Sequence, residues 1–89
     1  MIKEWSDDAW EEYLNWQEQD KKKWKKINLL IKDIERNGES EGIGQPEPLK
    51  YGLSGYWSRR IDEKNRLVYK IDENGNLNIE SCKGHYKDK

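Results

Sequence analysis

The sequence predicts an α+β fold in which two N-terminal helices pack on one face of a mostly antiparallel, twisted sheet of four to five strands. Three patterns carry this expectation. Apolar residues recur at helical spacing through residues 7–36, they alternate with a period of two through 55–82, and turn residues such as Asn65 and Asn74-Gly75 punctuate the alternating stretch.

Ile2-Lys3-Glu4-Trp5 alternates and reads as a short first strand. Ser6 follows as a helix N-cap, with Asp7 and Asp8 in the first turn, where acids suit the helix dipole. Trp10, Tyr13, Leu14 and Gln17 share one face of a helix that runs to about Glu18. Asp20 is the next cap. Trp24, Ile27, Ile31 and Ile34, with Leu30 beside them, form the stripe of a second helix that stops at Asn37-Gly38. Its lysines lie mostly off that stripe and read as a solvated face. Residues 37–53 read as a long loop, a kind of segment that is usually functional or disordered in a small domain.

Strands are expected at about 55–61, 66–72 and 76–82. Leu67, Tyr69 and Ile71 form one face of the middle strand, and Arg66, Val68 and Lys70 the other. Pairing Ile71 with Leu77 keeps apolar residues on one face and puts Gly75 at a left-handed turn position. The same logic pairs Ile61 with Leu67 and gives Asn65 the left-handed position. In this register Arg60, Arg66 and Lys70 share the face away from the helices. Cys82 lies across from Arg66, and the chain brings its one histidine, His85, out beside the arginines.

Composition narrows the function. The 89 residues make one domain, 1–89, with 87–89 as a mobile tail. Only 33% of them are hydrophobic, but five Trp and five Tyr can build a thin aromatic core. The net charge is −1, so a polyanion site must be a local patch. The single Cys82 excludes an internal disulfide and any Cys-rich zinc site; with one His besides, no protein metal site is expected, and no cofactor is expected. No apolar run approaches a signal peptide or membrane span, so a cytoplasmic protein without a membrane partner is expected.

Two features point to chemistry. Pro46-Glu47-Pro48 holds a carboxylate in a narrow backbone range, since each ring fixes its own φ and restricts the residue before it. The open sheet face carries Arg60, Arg66, Tyr56 and the approach to His85, the cations and rings that a single-stranded RNA site requires. Glu, Arg and His are suitable types for RNA cleavage by its own 2′-OH, as base, charge stabiliser and acid. From the residues alone, a solvated face of ordinary charges accounts for the same pattern, and nothing in the spacing joins Glu47 to that face.

The motifs Trp5-Ser6, Trp16-Gln17, Lys26-Ile27-Asn28, Pro46-Glu47-Pro48-Leu49-Lys50, Trp57-Ser58-Arg59-Arg60-Ile61, Arg66-Leu67-Val68-Tyr69 and the terminal His85-Tyr86 together closely resemble the YoeB/Txe toxins, within the RelE-like group. The resemblance runs from residue 1 to 86. It implies a ribosome-dependent, metal-independent mRNA endonuclease acting in the ribosomal A site. It also implies Glu47 as general base, Arg66 as transition-state stabiliser and His85 as general acid, with Lys50, Arg60 and Tyr86 contacting RNA. The implied partners are a YefM/Axe-like antitoxin, the ribosome with its mRNA, operator DNA through the antitoxin, and a second toxin copy. Two departures stand out: Tyr51, where family members commonly have His, and the Lys87-Asp88-Lys89 extension. A non-cleaving RNA-, ribosome- or antitoxin-binding module of the same fold is the alternative.

Overall fold

The computed structural model describes residues 1–85. Tyr86 and the expected tail at 87–89 lie outside them. In chain order the elements are β1 (Lys3–Trp5), α1 (Asp7–Gln19), α2 (Lys21–Asn37), β2 (Glu47–Pro48), a short 3-10 turn (Tyr51–Leu53), β3 (Trp57–Arg60), β4 (Arg66–Ile71) and β5 (Leu77–Ser81). The five strands form one sheet in the order β1-β5-β4-β3-β2, parallel only between β1 and β5.

The helix boundaries follow from their caps. Ser6 is extended (φ −65°, ψ 159°) and its Oγ accepts the Ala9 amide at 3.0 Å. Asp20 ends α1 through its own amide, which donates to Trp16 O, and starts α2 by accepting from the Lys22 and Lys23 amides. Gly38, at φ 87°, closes α2 by donating to Ile34 O at 2.8 Å.

The core lies between the helices and one sheet face. Ala9 and Trp16 of α1 and Ile27, Leu30, Ile31 and Ile34 of α2 meet Leu67, Tyr69, Leu77 and Ile79. Burying each large aliphatic side chain stabilises by about 1.5–3 kcal/mol. The buried face of α1 differs from the expected one. Ala9 and Trp16 face inward, while Trp10 and Leu14 are exposed. Trp10 instead stacks on Tyr13 at 5.6 Å, at the rim of a ring cluster that includes Trp5 and Trp24. Aromatic edges can satisfy one another there without entering the core.

The strand pairings correct the expected register in three places. Ile71 pairs with Leu77 and Gly75 has φ 79°, as expected. Between β3 and β4, however, Arg59 lies opposite Leu67 and Arg60 opposite Arg66, so the ladder is slipped by two residues from the Ile61–Leu67 pairing. A slip of two keeps every side chain on its expected face. Asn65 is not left-handed. The Asp62 carboxylate accepts the Lys64 and Asn65 amides at 2.8 and 2.7 Å, which closes the turn without positive φ.

The second correction is a β-bulge. Tyr69 pairs with Ile79 but Val68 pairs with Ser81, leaving Glu80 as the extra residue. The extra residue turns Cys82 from its expected place across from Arg66 to the helix side. There it is fully buried, its thiol donating to Ala9 O at 3.6 Å. Third, the 37–53 loop contains a strand: Glu47 and Pro48 pair with Ser58 and Trp57. Proline is tolerated because β2 is an edge.

Candidate functional site

On the face away from the helices, β3 and β4 set three pairs side by side. These are Arg60 with Arg66, Ser58 with Val68, and, one step further along the same alternation, Tyr56 with Lys70, whose Nζ lies 4.8 Å from the ring centroid. The face is less open than expected, since Ser58, Arg66 and Val68 are buried. Like charges directly opposite on paired strands repel. The Arg60–Arg66 pair is therefore a place where a bound anion would be favourable.

Glu47 reaches this face because β2 extends the same row, opposite Ser58. The segment that delivers it is organised by Arg59, a charged residue on the helix side of β3 with no exposed surface. All five of its N–H groups donate. Nε reaches the Tyr69 hydroxyl at 2.9 Å. Nη1 reaches Asp33 Oδ2 at 2.5 Å and Ile43 O at 3.0 Å. Nη2 reaches Gly38 O at 2.9 Å and Glu41 O at 2.6 Å. Tyr69 in turn donates to Glu39 O at 2.7 Å. The Arg59 guanidinium, with the Ile43 amide adding to it, holds the Asp33 carboxyl below its ordinary range.

Two glycines let the chain wrap this closely. A Cβ on Gly42 (φ 118°) would lie 1.8 Å from Asp33 Oδ2, and one on Gly44 (φ 81°) 2.8 Å from Leu30 Cδ2. Gly44 O then accepts the Arg60 amide at 2.7 Å. The next residue, Gln45, has φ 53° immediately before Pro46, a conformation that side chains and a following proline both disfavour.

His85 is delivered from the other side. Beyond the bulge, the Cys82 amide donates to Glu12 Oε1 at 2.8 Å, and Trp16 Nε1 donates to Cys82 O at 2.8 Å. Gly84 O accepts the Arg66 amide at 3.0 Å, and the Gly84 amide donates to Asn65 Oδ1 at 2.7 Å. Burial pushes the Glu12 carboxyl up, more than the Cys82 amide lowers it. Burial, with Glu12 nearby, pushes the Cys82 thiol up to about 12, which makes it inert as a nucleophile.

A cleft of about 400 Å³ results, lined by Gln45, Pro46, Glu47, Ser58, Arg60, Arg66 and His85. It brings together four of the expected residues: Glu47, Arg60, Arg66 and His85. The Arg66 side chain is fixed through Nη1, which donates to Asp62 O at 2.8 Å and more weakly to Glu63 and Asn65 O. Lys50 is exposed beyond β2 and does not line the cleft, and neither does the exposed Tyr51. Tyr86 falls outside the described residues. Among the described residues, no group of three or more acidic, His or Cys side chains is placed to hold a metal. No helix among them is long and apolar enough to cross a membrane.

Sequence reasoning missed Ser58, Gln45 and Arg59. Alternation from Arg60 finds Ser58, and Arg59 betrays itself as a charge between the core-side positions Trp57 and Ile61. No local signal marks Gln45.

The chain matches the YoeB-like toxin of bacterial type II toxin–antitoxin systems over residues 5–86. It is 55% identical over 82 residues to the toxin YoeB of Escherichia coli (strain K12), covering 92% of this chain and 95% of that protein. Its structure is similar to that of YoeB in a heterotetrameric YoeB–YefM toxin–antitoxin complex from Staphylococcus aureus. That match has a TM-score of 0.89 at 52% identity and covers 97% of this chain and 98% of the other. It is equally similar to a YoeB dimer from Staphylococcus aureus, with a TM-score of 0.90, 51% identity and the same coverage.

Proposed function

Because the chain belongs to the YoeB-like toxins of bacterial type II toxin–antitoxin systems, we propose that it is a ribosome-dependent, metal-independent endoribonuclease that cuts mRNA in the A site. The observation that carries this reading is the convergence of Glu47, Arg66 and His85, from three separate segments, on one cleft. Glu47 takes the proton of a ribose 2′-OH as that oxygen attacks the adjacent phosphorus. Arg66, with Arg60 paired beside it, balances the charge that builds on the phosphate oxygens. The bond from phosphorus to the 5′-oxygen breaks, and His85 gives that oxygen a proton. The products are a 2′,3′-cyclic phosphate, which becomes a 3′-phosphate on addition of water, and a 5′-hydroxyl. Each acid–base role contributes roughly 10²–10⁴ in rate.

Lys50 and Tyr86 are assigned as further RNA contacts. An acidic segment of a YefM-like antitoxin is the fitting inhibitor for the paired arginines. Operator DNA is reached through that antitoxin, and a second toxin copy completes the set of partners. The setting is the cytoplasm.

The test is purified chain added to ribosomes carrying a defined mRNA, with the 5′ ends mapped. New ends inside the A-site codon are expected, and their loss in Glu47→Ala, Arg66→Ala and His85→Ala proteins that keep the native circular dichroism. Ribosome binding with no new ends would overturn the reading in favour of a non-cleaving binding module. Near-normal cleavage by Glu47→Ala would remove the assigned base.

A further inference from the structure

The arrangement around Arg59 goes beyond what stability requires. A buried cation can be satisfied by one carboxylate and a few carbonyls from anywhere in the core. Here every acceptor except Asp33 and Tyr69 belongs to the segment leading into Glu47: Gly38, Glu41 and Ile43 directly, and Glu39 through Tyr69. That segment has no regular structure between the end of α2 and β2. Its only strand pairing is the two-residue β2, whose partners are Ser58 and Trp57, the residues just before Arg59. The same three or four residues of β3 therefore hold both ends of the segment.

We propose that Arg59 is a positioning residue for cleavage. Its five-donor fork sets the path of residues 38–44, and that path sets where the Glu47 carboxylate sits relative to Arg66 and His85. This rests on the reading of Glu47 as the base. Lysine at this position keeps the charge and the Asp33 partner but has three donors on one atom, so it cannot hold three backbone carbonyls, a carboxylate and a hydroxyl at once. Glu47 would then stay attached to β3 through β2 but lose its fixed approach. A misplacement of about 1 Å costs on the order of 10²-fold in rate.

The experiment is a double-mutant cycle on single-turnover cleavage by programmed ribosomes, with Arg59→Lys and Glu47→Gln. Tyr69→Phe serves as a milder second variant that removes only the hydroxyl linking Arg59 to Glu39. Arg59→Lys should cut the cleavage rate about 10- to 100-fold with ribosome affinity within about two-fold of wild type. Tyr69→Phe should cut it several-fold. In the Glu47→Gln background both effects should shrink to near nothing, because the group they position is gone. Amide hydrogen exchange should speed up across 38–48 in both variants, and at Ile71, whose amide donates to Glu39 Oε2, and stay unchanged in the rest of β4 and in β5. Equal losses with and without Glu47 would overturn the proposal while leaving the base assignment intact. An unaffected Glu47→Gln single variant would instead overturn the base reading beneath it. Unchanged exchange at 38–48 in a folded Arg59→Lys or Tyr69→Phe protein would also sink the proposal.

Discussion

The segments that carry Glu47 and His85 into the cleft are held in opposite ways. Residues 38–44 gather around one buried guanidinium, and most of their anchoring bonds run to Arg59 or to its partners Asp33 and Tyr69, with the Ile71 amide on the Glu39 carboxylate and the Arg60 amide on Gly44 O beside them. Residues 82–84 are a strand continuation turned by a bulge, and their bonds are spread over Glu12, Trp16, Asn65 and the Arg66 backbone. A hub fails as a unit, whereas a distributed set of bonds fails one at a time. Irregular backbone needs the hub because it has no ladder of its own to share the load. An extended strand end does not.

The sharpest way to break this contrast is to delete the hub. Arg59→Ala leaves the Asp33 carboxylate and several carbonyls without their partner and should cost about 3–5 kcal/mol in urea unfolding, a large part of the stability of a domain this small. A loss below about 1 kcal/mol would mean that the segment is held by something else. Next in size is Gly42→Ala, which combines a strained φ of 118° with a Cβ 1.8 Å from Asp33 Oδ2. Strain alone is worth about 1–3 kcal/mol. Gly38→Ala is its control, with positive φ but no atom within 4 Å of the added Cβ. Gly42→Ala should lower Tm clearly more than Gly38→Ala, and equal shifts would show that the close approach to Asp33 carries no cost.

Acid should separate the two segments. The folded pKa of Asp33 is depressed from its ordinary 3.8, chiefly by the hydrogen bond from Arg59. Its contribution is therefore present above about 3.8 and is lost as pH falls through the lower folded value. The folded pKa of Glu12 is raised from 4.5, chiefly by burial. Its charged form is the costly one, so the stability linked to it is greatest below about 4.5 and declines as pH rises through the folded value. Acidification should thus expose the amides of 38–44 to hydrogen exchange while those of 82–84 hold. Loss of both together would erase the distinction. The smallest effect is expected from Glu12→Gln, which keeps an acceptor for the Cys82 amide and removes the desolvated charge. It should leave Tm at pH 7 unchanged or slightly raised. A marked drop would show that the charge itself holds the strand end.

Sequence patterns foretold the segments of this fold better than their alignment. Caps such as Ser6 and Asp20 are local chemistry, and the faces of the strand residues ahead of the bulge follow from alternation, which survives even the two-residue slip between β3 and β4. The bulge at Glu80 was illegible because no Gly, Pro or Asn marks it. It accompanies the fit of Cys82 under α1, a contact some seventy positions away in the chain. The same reach explains Glu47. Prolines on both sides argue locally against a strand, and only the vacant edge beside β3 makes two residues of pairing available. Without the family resemblance, Glu47 had no link to Arg66 and His85. Arg59 was missed: alternation marks it as a charge out of phase, but its meaning lies in carbonyls that no pattern announces.

The order of the sheet sets the moment at which the protein becomes whole. Among the described residues β1, the earliest strand in the chain, finds its strand neighbour in β5, the latest, and Ser6 bonds to the backbone of Ile79 and Glu80. Contacts so distant in the chain cannot form early, and they slow folding. The bulge that brings His85 beside Arg66 sits in that same final strand. A growing chain therefore carries both arginines and Glu47 well before it owns a finished cleft. The synthesis of its cleft residues and the completion of the cleft are separated by the time needed to make and dock β5.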